Sequence, residues 1–405
     1  MSSSPLPIDR SREIVPVSGP HINDLGGSEE PPRWWPCIRN ALAVLATVFT
    51  LGLAYILFPT IRSYVDMTFT IPQPVPAQRA PLPPAGPATR PQGPPAAAVG
   101  RPQAPARLFV VPDGNRFQGQ TSEDRKALFR DTLQAVDHGY RVGSVVVTPD
   151  RDLTVRETES FRGLQPLGPN GGAGRAARFV VSQKTTTQAV LDLARGGVKP
   201  LALNMAHSHV PGGGVKAGCT AQEECMCRET SLYRSLEAHK SKGSYPIPED
   251  GGIYSRHVEV LRDPTKGFAF LEKSAPCAFV SVAAPDLRDG CSERLALGLP
   301  LNGHIDQQAL QTNEAYKALL KEKIVQLLRK AVLEGHTHLV LGALGCGAFE
   351  GSPMVTARLF HEVLNSDEFR GRFVHVEFAI YCAPGSRRDA ANLAAFEQFF
   401  GRSSA

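Results

Sequence analysis

The pattern of apolar and polar positions divides the 405-residue chain into regions of different character. The first long apolar stretch, residues 41–58 (ALAVLATVFTLGLAYILF), contains no charged residue and is just long enough for a helix to cross a bilayer. Trp34, Trp35 and Tyr64 flank it, as aromatic residues often do at a membrane interface. We therefore predict a single transmembrane helix at residues 41–58.

The segments on either side of this stretch have the composition of a tail and a linker. Residues 1–40 are rich in Ser, Pro and Gly without helical or strand periodicity, which predicts a disordered tail. Residues 71–106 are dominated by Pro and Ala, which predicts an extended, semi-rigid and proline-rich linker. Residues 107–401 have the composition of an ordinary globular domain, and we expect them to carry the function.

Within residues 107–401, apolar runs alternate with helical patterns. The first helical pattern begins at Ser122, a predicted N-cap, and ends at Gly139. Further helical patterns cover residues 223–239, 313–334 and 353–364. Five short apolar runs are predicted strands, mostly buried on both faces: residues 144–148, 200–206, 278–285, 338–344 and 374–381. This alternation predicts an α/β fold, a three-layer α/β/α sandwich around a mixed sheet.

Charge and cysteine content narrow the possible partners. The net charge of +5 comes from scattered Arg and Lys, without a run of the kind that binds nucleic-acid backbones. We therefore expect no sequence-specific nucleic-acid partner. Eight cysteines are too few for a disulfide scaffold, and Cys219, Cys225 and Cys227 lie close together instead of spreading over loops. We predict that they are reduced thiols.

Two glycine-rich loops follow predicted strands. Gly212, Gly213 and Gly214 come after the run at residues 200–206, and residues 342–351 (GALGCGAFEG) follow another β-type run. Glycine lets the backbone approach a ligand closely and point N–H groups at it, which suits a phosphate. Either loop alone is commonly just a turn, but two of them at strand ends of one sheet predict a clamp for a diphosphate.

A pair of adjacent carboxylates, Glu223 and Glu224, lies at the start of a predicted helix just beyond the first glycine loop. Acidic residues are common at helix N-termini because they complement the helix dipole, and this alone explains many such pairs. Here the pair is close enough to face the same ligand as the loop. One carboxyl group could then act as a general acid in glycosidic cleavage while the other orients hydroxyl groups.

A metal site is the alternative for this window. Five potential zinc ligands lie close together: His207, His209, Cys219, Cys225 and Cys227. Their spacing is poor, because Cys225 and Cys227 are separated by one residue on a predicted helix and point to different faces. A nucleophilic cysteine at Cys219 or Cys346 is a further alternative, although neither has an identifiable His and acid beside it. We expect no metal and no cofactor.

The segment NMAHSHVPGGGVKAGCTAQEE, with its GGG-x7-QEE spacing, resembles the signature of bacterial-type poly(ADP-ribose) glycohydrolases. The segments FRDTLQAVDHGYR, RETSLYRSL, VAAPDL and LVLGALGCGAF also resemble parts of that family. The resemblance implies a macrodomain-like fold with an ADP-ribose pocket. It implies hydrolysis of the ribose–ribose bonds of poly(ADP-ribose), without a cofactor.

The resemblance also implies residue roles. Glu224 would be the general acid, Glu223 would help to hold the scissile ribose, and Asn204 would contact the hydroxyl groups of that ribose. The two glycine loops would wrap the diphosphate, and Phe349 would press the distal ribose toward the acid. The implied substrate-binding residues other than Asn204 are Gly212, Gly213, Gly214, Gln222, Gly345, Cys346, Gly347, Ala348 and Phe349.

Two positions depart from the family pattern. Glu350 follows the second loop, where the family usually has a Gly-Asn step, and would weaken diphosphate binding if it turned inward. Asp286 stands where Asn is more usual. Two other functions stay open at this point. One is a non-catalytic ADP-ribose-binding module tethered to a membrane, and the other is a membrane-anchored scaffold that works through its proline-rich linker.

Localisation follows from the predicted span and the expected substrate. Arg33 and Arg39 before the span and Arg62 after it give a slight bias toward a cytoplasmic amino terminus, which places the domain on the far side. Reduced thiols and an ADP-ribosylated substrate favour a reducing compartment, and export into a host cell would reconcile the two arguments. We expect a single-pass, monomeric membrane protein that acts on poly(ADP-ribose) or ADP-ribosylated proteins.

Overall fold

The computed structural model describes residues 108–110, 121–170 and 176–401. The predicted tail, the transmembrane helix at residues 41–58 and the linker at residues 71–106 lie outside the described residues. Within the described ranges, no helix combines the length and the apolar character that crossing a bilayer requires.

The described residues form ten strands and ten α-helices. The strands are β1 (Phe109–Val110), β2 (Tyr140–Val142), β3 (Val145–Val147), β4 (Thr158–Arg162), β5 (Arg178–Ser182), β6 (Leu201–Met205), β7 (Gly251–Asp263), β8 (Ala269–Val282), β9 (His338–Leu341) and β10 (His375–Ala379). The helices are α1 (Ser122–His138), α2 (Arg151–Arg156), α3 (Thr186–Arg195), α4 (Gln222–Glu229), α5 (Leu232–Ser241), α6 (Glu293–Ala296), α7 (Gln307–Thr312), α8 (Glu314–Leu333), α9 (Pro353–Leu364) and α10 (Arg387–Phe400). Short 3-10 turns cover Val215–Ala217 and Pro264–Lys266.

Seven strands form one mixed sheet in the order β4-β7-β8-β6-β9-β10-β5. The five strands from β8 to β5 pair in parallel, whereas β7 pairs antiparallel with β8 and β4 antiparallel with β7. The antiparallel pair β7 and β8 is connected by the short turn at Pro264–Lys266. The predicted mixed sheet is confirmed.

Alternate side chains of the central strands point to opposite faces of this sheet. Leu201 and Leu203 of β6 join the apolar cluster that includes side chains of α8, α9 and α10. Ala202, between them, joins the second cluster, which includes side chains of α3, α4 and α5. Helices therefore cover both faces, which explains the continuous apolar runs and confirms the three-layer arrangement.

The run predicted as a strand at residues 144–148 forms β3, but it belongs to a separate three-stranded sheet in the order β1-β2-β3. Val145 and Val146 are exposed, so the prediction that this strand is buried is wrong. Only Val147 enters an apolar cluster, where it packs with Tyr140 and Phe270.

The predicted N-cap is displaced by one residue. Thr121 precedes α1 and accepts from the backbone N–H of Asp124, whose side chain accepts from the N–H of Thr121 in return. Ser122 is the first helical residue, and its hydroxyl donates to the carbonyl of Ala217. Gly139 ends the helix as predicted, with a φ of 72°.

The helical pattern at residues 223–239 forms two helices, α4 and α5, because the chain becomes extended at Thr230, with a φ of −137°. Thr230 forms an isolated antiparallel bridge with Val260 of β7, a contact with a strand that the sequence pattern did not predict. The break leaves α4 as a short helix that carries the glutamate pair on its first turn.

Candidate active site

Asn204 lies at the carboxyl end of β6 and is completely buried. Its Nδ2 donates to Ser281 Oγ on the neighbouring strand β8 at 3.0 Å and to Glu223 Oε1 at 3.3 Å. Its Oδ1 has no hydrogen-bond partner among the described residues. The structure thus brings Asn204 and Glu223 together as predicted and leaves one amide acceptor of Asn204 open.

The carboxylate of Glu223 is held by three donors. Besides the Asn204 amide, the backbone N–H of His207 donates to Oε2 at 2.9 Å and that of Gly212 donates to Oε1 at 3.1 Å. Burial raises the pKa of Glu223 to about 8, and the charge of Glu224 adds to this rise, whereas the three donors oppose it. Both oxygens are occupied, so Glu223 fixes the surrounding loop and the Asn204 side chain.

Glu224 lies beside Glu223 and has only 7 % of its surface exposed. The N–H of Gly214 donates to its Oε1 at 2.8 Å. Its Oε2 has no hydrogen-bond partner among the described residues. Of the two glutamates, Glu224 therefore has an oxygen free to meet a ligand.

The first glycine loop packs directly against these carboxylates. Gly212 and Gly213 have φ values of 69° and 52°, in the left-handed region that favours glycine. A Cβ at Gly213 would lie 2.6 Å from Glu224 Oε1 and 3.1 Å from Glu223 Oε2. The glycines are therefore needed for the approach of the loop to the two acids.

This geometry corrects one expectation about the first loop. The N–H groups of Gly212, Gly213 and Gly214 were predicted to point at a diphosphate. Two of them donate to the glutamates instead, and that of Gly213 donates to the carbonyl of Val210 at 2.9 Å. The sequence did not reveal this use, because the partners become neighbours only when α4 folds back on the loop.

Gln222 was predicted to bind substrate, but its amide is engaged within the fold. Oε1 accepts from the N–H of Met205, and Nε2 donates to Thr186 Oγ1 at 3.0 Å and to the carbonyl of Leu203. These contacts fasten the start of α4 to β6 and to α3. Gln222 thus positions the glutamates that follow it.

The second glycine loop follows β9 and offers free backbone donors. Within the described residues, no acceptor pairs with the N–H groups of Gly345, Gly347, Ala348 and Phe349. Gly347 and Ala348 are also exposed. This loop has the free donors that the sequence predicted for a diphosphate site.

Cys346 is part of this loop, but its side chain points into the protein interior. The thiol lies within hydrogen-bonding distance of Thr356 Oγ1, at 3.3 Å, and burial raises its pKa to about 12. A group this buried and this weakly acidic is not an activated nucleophile, so that alternative fails for Cys346. Its backbone N–H is also engaged, because it donates to the carbonyl of Ala343 at 3.0 Å.

Phe349 contacts two further side chains: His207, which the sequence offered only as a metal ligand, and Arg288, which the sequence did not indicate. Its ring is edge-on to His207, with the ring centroids 6.2 Å apart, and the guanidinium of Arg288 lies 5.3 Å from its centroid. Burial lowers the pKa of His207. His207 Nδ1 accepts from the N–H of His209 at 3.1 Å, so its Nε2 carries the proton in the neutral ring.

The two departures from the family pattern have structural explanations. Asp286 is paired with Arg288, whose Nε donates to Oδ1 at 2.9 Å, and this fixes the guanidinium beside Phe349. Glu350 has a φ of 60°, which explains why a glycine is usual nearby. Its carboxylate is half exposed and lies 3.8 Å from the buried guanidinium of Arg294, which offsets its charge.

The proposed zinc ligands do not form a compact set. Cys227 is buried, Cys225 Sγ accepts from the Arg228 guanidinium at 3.2 Å, and Cys219 is exposed. Among the described residues, no group of three or more His, Cys, Asp and Glu side chains is arranged to hold a metal ion.

A family model and several solved structures match this chain. Residues 130–263 match the family model of the microbial-type poly(ADP-ribose) glycohydrolase catalytic domain. The crystal structure of poly(ADP-ribose) glycohydrolase from Thermomonospora curvata is 31 % identical, with a TM-score of 0.55, and the match covers 68 % of this chain and 100 % of that one.

Two further solved structures are similar. The Thermomonospora curvata enzyme bound to the inhibitor ADP-HPD is 32 % identical, with a TM-score of 0.54 and the same coverage of 68 % and 100 %. The Deinococcus radiodurans enzyme in complex with ADP-ribose is 27 % identical, with a TM-score of 0.49, and the match covers 62 % of this chain and 96 % of that one. No curated protein matches the chain significantly.

Proposed function

The chain belongs to the microbial-type poly(ADP-ribose) glycohydrolase family, and we propose that it hydrolyses the ribose–ribose glycosidic bonds of poly(ADP-ribose) and releases ADP-ribose. It is thus a glycosidase. The observation that carries the proposal is the state of Glu224, a buried carboxyl group with one oxygen fixed by Gly214 and the other without a partner among the described residues.

Glu224 acts as the general acid. Its Oε2 donates a proton to the leaving oxygen of the glycosidic bond, the bond between that oxygen and the anomeric carbon breaks, and an oxocarbenium-like ribose forms. A water molecule attacks the anomeric carbon and returns a proton to Glu224. One water is consumed per bond, and the acid is regenerated.

Asn204 and Glu223 orient the scissile ribose. The open Oδ1 of Asn204 accepts a hydrogen bond from a ribose hydroxyl, and Glu223 holds the Asn204 amide in the required orientation through its Oε1. The N–H groups of Gly347 and Ala348 bind the diphosphate. Phe349 packs against the distal ribose and limits its movement relative to Glu224.

The test is incubation of the purified full-length protein with automodified poly(ADP-ribose) and detection of free ADP-ribose. Glu224→Gln keeps the size of the side chain and removes the acid, so kcat falls by about 10²–10⁴ while ADP-ribose still binds. Glu314→Gln, at an exposed helix start, is the matched control and keeps full activity.

Binding of ADP-ribose without its release by the wild type would contradict hydrolysis. That outcome would favour the second candidate, a non-catalytic ADP-ribose-binding module. The buried, partly unpaired Glu224 argues against this candidate, because a module that only binds gains nothing from an unpaired carboxyl oxygen.

We further propose that residues 41–58 anchor the enzyme as a single-pass membrane protein. The catalytic domain then lies in a reducing compartment. If the protein is exported, that compartment belongs to a host cell. The uninterrupted apolar sequence supports the anchor, and the seven cysteines of the described residues are free thiols. Membrane fractionation of the protein with and without residues 41–58 tests the anchor. Equal amounts of the two proteins in the soluble fraction would exclude the anchor.

A further inference from the structure

Two cationic side chains contact the second glycine loop. Arg388, on the first turn of α10, donates from Nη1 to the carbonyl of Gly347 at 3.3 Å. Arg288 lies over the ring of Phe349, two residues further along the loop. The N–H groups of Gly347 and Ala348, which have no acceptor among the described residues, therefore lie in the part of the loop that these two contacts bracket.

We propose that Arg288 and Arg388 bind the phosphates of the substrate at this loop. The inference rests on the proposed function, because it takes the ligand to be an ADP-ribosyl group. The inference is based on two contacts. Each guanidinium contacts the loop and keeps further N–H groups that can donate to a ligand. Guanidinium groups match the geometry of phosphate oxygens and form charge-assisted hydrogen bonds with them.

The charges around the site show why cations are needed there. A diphosphate brings negative charge to this loop, and the backbone N–H groups of the loop carry no net charge to balance it. Arg388 is exposed and makes no ion pair with a carboxylate among the described residues, so its positive charge is available to the ligand. Its effect on binding is therefore expected to weaken as salt increases.

Arg288 has a different part in the same site. Asp286 accepts from its Nε and from one Nη2 hydrogen, so the ion pair offsets its charge and fixes its direction. The Nη1 hydrogens have no acceptor among the described residues. Arg288 thus supplies donors in a fixed position, whereas Arg388 supplies net charge. Together they make the site selective for a ligand that carries phosphates.

The test is calorimetric titration of the full-length protein with ADP-ribose at low and high NaCl concentrations. Arg388→Gln and Arg288→Gln each raise Kd about tenfold, and Arg388→Gln also reduces the salt dependence. Arg388→Lys retains the charge, and its Kd is expected to lie between those of Arg388→Gln and the wild type. The matched control is Arg387→Gln, an exposed neighbour on α10, which leaves Kd unchanged.

Kd values of Arg388→Gln and Arg288→Gln equal to that of Arg387→Gln would overturn the inference. Hydrolysis of poly(ADP-ribose) is measured on the same preparation, so that the two proposals are tested separately. A wild type that binds ADP-ribose with these arginine effects but releases no product contradicts the proposed function and supports the inference. A wild type that does not bind ADP-ribose contradicts both.

Discussion

The backbone N–H of Gly214 holds Oε1 of Glu224 at 2.8 Å, and this contact leaves Oε2 as the open oxygen of a buried carboxyl group. The neighbouring Glu223 has no such opening, because its two oxygens accept three hydrogen bonds. Two adjacent residues of the same type thus have different surroundings. The Asn204 amide and the N–H groups of His207 and Gly212 occupy Glu223, whereas only the N–H of Gly214 reaches Glu224.

Gly213→Ala is expected to abolish most of the activity. Its Cβ would lie 2.6 Å from Glu224 Oε1, and the φ of 52° adds strain of about 1–2 kcal/mol, so the loop must move away from the acid. We expect kcat to fall by at least about 100-fold, by analogy with the cost of a small displacement of a catalytic group. A poly(ADP-ribose) hydrolysis assay measures it.

Gly335→Ala is the control for backbone strain. Gly335 has a φ of 74°, but a Cβ there would meet nothing within 4 Å. The free energy of unfolding of the Gly335→Ala variant should fall by a similar amount, about 1–2 kcal/mol, and its kcat should be unchanged. Equal kcat values for the two alanine variants would show that contact with Glu224 does not matter.

The stability of the protein should depend on the protonation of Glu223. Its pKa is raised in the folded state from 4.5 to about 8, so the folded protein binds the proton more tightly than the unfolded chain. The free energy of unfolding therefore falls as pH rises from about 4.5 to about 8, and this contribution then stays constant.

Chemical denaturation across this pH range measures the effect, with Glu223→Gln as the comparison. The variant lacks the titrating group, so its free energy of unfolding should lack this fall with pH. In the variant, the NH2 group of the glutamine side chain also faces a group that donated to Glu223. Two donors then oppose each other, at a cost of about 1–3 kcal/mol. Parallel pH profiles for the wild type and the variant would exclude the raised pKa.

Asp286→Asn is expected to weaken substrate binding. Asn cannot form the charged, two-oxygen contact with Arg288, so the guanidinium is no longer fixed beside Phe349. We expect KM for poly(ADP-ribose) to rise about fivefold, with kcat changed less than about twofold. Steady-state kinetics measure both constants.

The control for this substitution is Asp192→Asn. Asp192 also pairs with an arginine, Arg195, but on the exposed surface of α3. The KM of the Asp192→Asn variant should equal that of the wild type. A similar KM for the two variants would mean that the Asp286–Arg288 pair has no part in binding.

Cys346→Ala is expected to leave the reaction intact and to destabilise the fold. The thiol is buried and directed at Thr356, so its removal costs about 1–2 kcal/mol of the free energy of unfolding through lost packing. We expect kcat within about twofold of the wild type. Thermal unfolding and the hydrolysis assay separate the two effects, and loss of kcat in a folded Cys346→Ala protein would restore the nucleophilic alternative.

Much of the sheet and of its helical layers could be predicted from apolar periodicity. The helix Pro353–Leu364 matches its prediction at both ends, and Leu201–Met205 lies within the predicted run at residues 200–206. The sequence pattern missed the strands Thr158–Arg162 and Arg178–Ser182 of this sheet, and it also missed Gly251–Asp263. Its partner β8 also begins earlier than predicted, at Ala269, because charged and polar residues interrupt the apolar pattern in this hairpin.

The sequence by itself determined that two glycine loops and a glutamate pair lie at strand ends of one α/β domain, because residue type and local spacing carry that information. Only the tertiary structure decided how these parts are used. The Gly214 N–H meets Glu224 ten residues away, and Arg388 reaches Gly347 across 41 residues. Such contacts depend on how strands and helices pack, and local propensity does not specify them. For the same reason, the free oxygen of Glu224 and the two arginines beside the second loop could be recognised only in the folded chain.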